Sequence, residues 1–94
     1  MLFEDSAQDI ALCSQLFPNL GWLIESDNLN RVLYEGKSNT PLTLQIEGSL
    51  EGYRAFLLWG TDSVLFSTDL PSTSLLNVLQ EMRTEWHRIA EVMK

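Results

Sequence analysis

The chain has 94 residues, and at that length residues 1–94 form a single domain, because chains divide into separate cores only well beyond this size. With 45% apolar and 10% aromatic residues it can build a core without a disulfide or a structural metal, and its composition is not that of a disordered chain. Thirteen acidic against six basic side chains leave a net charge of -7, the wrong sign for a protein that binds nucleic acid or an anionic membrane surface.

Glu4, Asp5, Ser6 and Asp9 are the residue types that open a helix, since their oxygens accept from free amide groups and their charges suit the positive end of the helix dipole. Ile10, Cys13 and Phe17 then recur at helical spacing, and Pro18 disfavours helical backbone at the residue before it, so a first helix is predicted over about 5–17. Two apolar runs, 21–26 and 31–35, flank Asp27-Asn28-Leu29-Asn30, whose Asn and Asp residues tolerate turn geometry, and read as a hairpin. After a polar turn over 36–41, Leu42, Leu44 and Ile46 alternate with Thr43, Gln45 and Glu47, which predicts a strand with one buried and one wet face.

Turns over 48–52 and 60–63 bound the next strand, Tyr53 to Trp59, and lead to a last one, Val64 to Thr68; connections this short favour an antiparallel meander. Ala55-Phe56-Leu57-Leu58-Trp59 does not alternate, so both faces of that strand are expected to be covered. Pro71-Ser72-Thr73-Ser74 supplies hydroxyl caps for a second helix, in which Leu75, Leu79, Met82, Trp86, Ile89 and Met93 form an apolar stripe at spacings of 4, 3, 4, 3 and 4. The expected fold is α+β: N-terminal helix, antiparallel meander of four or five strands, and C-terminal amphipathic helix, both helices on one sheet face.

Chemistry is sparse. One cysteine with one histidine makes no zinc site, Cys13 belongs to the apolar side of its helix and His87 to the polar side of the other, and Gly48, Gly52 and Gly60 lie between strands rather than before a helix, where a phosphate loop would stand. No metal, no cofactor and no catalysis are expected. A lone thiol, together with an N-terminus lacking a basic segment and an apolar core, fits a cytoplasmic protein without a signal peptide, and the longest strictly apolar run, Ala55 to Trp59, is far short of a membrane span. Residues 1–30 carry five acids and no base, an asymmetry that can steer a basic partner.

The order of elements, with Val64-Leu65-Phe66-Ser67-Thr68-Asp69-Leu70-Pro71 leading into a closing helix that bears Leu75, Leu76, Leu79 and Trp86, resembles the end of class I type III secretion chaperones, and Leu16 to Leu23 resembles their first-helix exit. Where that family inserts a helix between the third and fourth strands, this chain has only Gly48 to Gly52. The resemblance implies a small, acidic, cytosolic and dimeric protein that holds an extended segment of another protein. The expected function is therefore binding, as an adaptor or chaperone-like module whose partner is another protein or a second copy of the chain. The partner-binding candidates are Phe56, Leu57, Leu58 and Trp59 on the non-alternating strand, and Glu4, Asp5 and Asp9 at the acidic end. The alternative is an inhibitor or immunity protein that occludes a basic site with those acids, imitating phosphates.

Overall fold

A computed structural model describes residues 6–27, 30–60 and 63–92. In chain order the elements are α1 (Ser6–Leu16), β1 (Gly21–Asp27), β2 (Arg31–Lys37), β3 (Leu42–Ser49), β4 (Gly52–Trp59), β5 (Ser63–Ser67) and α2 (Leu75–Val92). The expected α+β meander is present with five strands, each antiparallel to its neighbour in the order β1-β2-β3-β4-β5.

The local chemistry sets the boundaries. The last bond of α1 runs from Phe17 N to Cys13 O at 2.9 Å, and the carbonyl of Phe17, released by Pro18, accepts from Leu20 N at 3.3 Å and from the Trp22 indole at 3.2 Å. Gly48, read as part of a turn, is instead a buried member of β3, and the corner is only Leu50 and Glu51. Gly52 closes it with φ +125°, and an added Cβ would stand 2.5 Å from the Ser72 carbonyl oxygen.

Residues 71–73 do not begin α2. They lie along β4, where Tyr53 N donates to Ser72 O at 2.7 Å and Ser72 N to Tyr53 O at 2.9 Å, so the helix starts only at Leu75. Ser74 is the N-cap, its Oγ accepting from Asn77 N at 3.2 Å. Thr68 fills the remaining place on β4: its N donates to Ala55 O at 3.0 Å and its Oγ1 accepts from Ala55 N at 3.1 Å.

Alternation sorts the sheet into two faces. Val32, Tyr34 and Gly36 of β2, the even positions 42 to 48 of β3, and Ala55 and Leu57 of β4 point inward. Cys13 and Phe17 of α1 and Leu75, Val78, Leu79 and Met82 of α2 join them in one core, so both helices cover the same face. α2 packs on β4, and α1 on α2 and β1. Trp22 lies directly over Gly36, where a Cβ would come within 2.8 Å of the indole; the glycine is the space the ring occupies.

The bond that fixes α1 to this layer comes from Asp9. Its Oδ2 accepts from the Tyr34 hydroxyl at 2.8 Å and from the Tyr53 hydroxyl at 2.9 Å, joining the helix to β2 and β4 across β3. Expected from sequence to open the helix and to meet a partner, Asp9 is instead half-buried and bound to two tyrosines. Hydrogen bonds to a charged acceptor are the stronger kind, so Asp9→Ala is expected to cost about 2 to 4 kcal/mol in urea unfolding, and Asp9→Asn, which keeps one oxygen, clearly less.

Candidate functional site

The face opposite the helices is overlaid by no described element. On β4 it presents Arg54, Phe56 and Leu58; on β3 Thr43, Gln45 and Glu47; on β2 Leu33, Glu35 and Lys37; on the flanking strands Leu23 and Val64. Three of the apolar members, Phe56, Leu58 and Val64, gather toward β5, while Leu23 and Leu33 lie on the β1 side. Leu58 stands between Thr43 and Val64 in the register, and Phe56 between Gln45 and Ser67. Leu58 is only 7% exposed, whereas Val64 is 56% exposed.

Polar groups frame this patch, and most of their charge is matched within the face. Arg31 pairs with Glu47, and Lys37 Nζ lies 3.3 Å from Glu35 Oε1, with Gln45 donating to the other oxygen of Glu35 at 3.4 Å. The Arg54 guanidinium lies 5.2 Å from the centre of the Phe56 ring and donates to Thr68 O at 3.3 Å. Its Nε is buried with no acceptor.

Of the four strand residues expected to bind a partner, Phe56 and Leu58 face this open side and Leu57 and Trp59 the helix side. Leu57 is fully buried in the core and closed to a partner. Within the chain only one face of β4 is covered, by the helices; on the open face Leu58 is shielded by its neighbours in the sheet, not by another layer. Trp59, at the strand end, is 38% exposed. Glu4 and Asp5 lie outside the described residues. Asp9, the third acid of that group, is committed to the two tyrosines.

A second concavity lies at the end of the helix-sheet sandwich, between α2 and the β2–β3 turn. A cleft of about 720 Å³ opens there between Trp59, Trp86, Leu42 and Ala90, and a smaller one of about 350 Å³ lies beside Arg83, His87 and Leu20. Both are bordered by Ser38, Asn39 and Trp86. Trp86 is held by Phe17, ring centroids 5.9 Å apart and edge to face. The turn is braced by hydroxyls: Ser38 Oγ donates to Leu42 O at 2.8 Å and accepts from Thr40 N at 3.2 Å. No run of residues announces this cleft, because its walls come from positions 38–42, 59 and 83–90.

Cys13 is buried and His87 exposed, as their helix positions predict. Among the described residues no three of His, Cys, Asp and Glu gather as metal ligands would, and no helix is long and apolar enough to cross a membrane. Comparison of the chain with protein-family models, with curated proteins and with solved structures finds no match.

Cys13 and Tyr34, both in the core, have displaced acidities. Burial, with the Asp9 carboxylate adding to it, pushes the Cys13 thiol from an ordinary 9.0 up to about 12. Burial also raises the Tyr34 hydroxyl above its ordinary 10.0, helped by the bond it donates to Asp9. Both stay neutral in the folded protein at pH values where the unfolded chain ionises, so their contribution is complete below about pH 9 and declines as the pH rises toward 12. Urea midpoints measured from pH 8 to 11 should fall, with the decline beginning near 9; in Cys13→Ala the fall should begin about one unit higher, where tyrosine ionises.

Proposed function

We propose that this protein is a cytosolic, non-catalytic binding module that holds a segment of another protein against the open sheet face around Phe56. The observation that supports this reading is a five-stranded sheet with both helices on one side, leaving Phe56, Leu58 and Val64 as an apolar patch at the β5 side of the open face, bordered on its β3 side by Thr43, Gln45 and Glu47 and beyond them by Glu35 and Lys37. Apolar area beside polar groups is the composition of a modest protein interface. The bordering charges are already paired, so affinity comes from apolar area and is nearly independent of salt. An adaptor or secretion-chaperone role is the form of binding that the sequence resemblance implies.

An array of immobilised extended and amphipathic 15-residue peptides tests the proposal. The protein should retain peptides with alternating apolar residues, with affinity changing less than about threefold between 50 and 500 mM salt. Phe56→Glu should remove that retention while leaving the far-ultraviolet circular dichroism intact, since Phe56 lies outside the core. Retention unaffected by Phe56→Glu, or confined to low salt, would overturn the reading.

A further inference from the structure

The cleft between α2 and the β2–β3 turn is separate from the sheet face, and its chemistry is different. Its larger chamber, about 720 Å³, falls within the size range of small-molecule sites and is walled mainly by Trp59, Trp86, Pro41, Leu42 and Ala90. The smaller chamber, on the other side of Trp86, is bordered by Arg83 and His87, one helical turn apart on α2. Among the described residues no carboxylate lines either chamber.

That absence stands out in a chain of net charge -7. Among the described basic side chains, Arg31, Lys37 and Arg88 sit in ion pairs with Glu47, Glu35 and Glu85, and Arg54 lies over Phe56. Arg83 is in none of these arrangements, and it borders the cleft. The walls are also set in advance. Trp86 rests edge-on against Phe17, and the turn is fixed by Ser38 and by Gly60 N donating to Pro41 O at 3.0 Å. A preformed apolar chamber loses little ordering entropy on binding.

We propose that this cleft binds a small aromatic monocarboxylate. The ring system enters the chamber between Trp59 and Trp86, where flat π-faces stack well, and the carboxylate reaches past Trp86 to the guanidinium of Arg83, whose planar fork matches its two oxygens. His87 contributes a ring N–H beside it. A neutral ligand of the same shape fills the chamber but leaves Arg83 unanswered, and a cationic one meets Arg83 with repulsion.

The experiment titrates 1-naphthaleneacetate and its neutral amide separately into the full chain, followed by tryptophan fluorescence and by calorimetry. The acid should bind saturably, one per chain, and at least about fivefold more tightly than the amide. Arg83→Gln, an exposed change on α2, should bring the two ligands to equal affinity. Trp59→Ala should weaken both by about tenfold, the loss of one stacking wall. If that variant does not fold, Ala90→Phe, which fills the chamber from the helix, should exclude both. Absence of saturable binding of the acid, equal affinity of acid and amide for the unaltered chain, or an acid preference that survives Arg83→Gln would each overturn the proposal.

Discussion

A single carboxylate holds the two layers in register. Asp9 accepts from tyrosines on β2 and β4, which are not neighbours in the sheet, so the helix that carries it can sit at only one height and one rotation over the strands. The rest of that layer depends on the placement. Cys13, one turn further along α1, drops into the core, and Phe17, one turn beyond, meets Trp22 and Trp86 edge to face, with centroids 6.3 and 5.9 Å away. The bonds are available because Tyr34 and Tyr53 both point inward, a consequence of strand alternation and of the register that sets Tyr34 opposite Ile46 and Tyr53 opposite Gly48.

The sheet is open, and its two edges are treated alike. In β1 the pairing skips Glu25 between Ile24 and Ser26, and in β5 it skips Leu65 between Val64 and Phe66. A bulge twists the exposed backbone out of the flat geometry that another strand would need, and Glu25 adds charge to one edge. Further along β4, Thr68 and Ser72 occupy the hydrogen-bonding positions past the end of β5. Association by adding a strand is therefore discouraged on both sides, and the broad face is left as the surface on which a partner has room.

Much of the fold was legible because hydrophobic period tracks burial closely here. Leu42, Leu44 and Ile46 alternate in sequence and are the buried members of β3, and the α2 stripe at Leu75, Leu79 and Met82 is buried as its spacing predicts. The divergences come from interactions between distant residues. Asp9 carries the signature of a helix start, and nothing nearby reveals that two tyrosines 25 and 44 residues away will bind it. Val78, off the stripe, is buried because α2 crosses β4 at its first turns. Ser72 looked like the start of a helix and became a bridge, since the free edge of β4 competes for its backbone groups. The non-alternating strand pointed correctly to apolar residues on both faces of β4, but which pair faced the helices was decided by the register with β3.

Every strand pairs with the one before or after it in sequence, so the meander can assemble hairpin by hairpin from short loops with little closure entropy. α1 reaches its neighbour β1 locally, through Phe17 and Trp22, but its Asp9 anchor is non-local: the two bonds close only when β2 and β4 stand on either side of β3. Cys13 is sealed beneath that helix with no exposure of its own. A reagent reaches that sulfur only when α1 lifts, so the single thiol of the chain is a reporter placed on the layer that Asp9 pins.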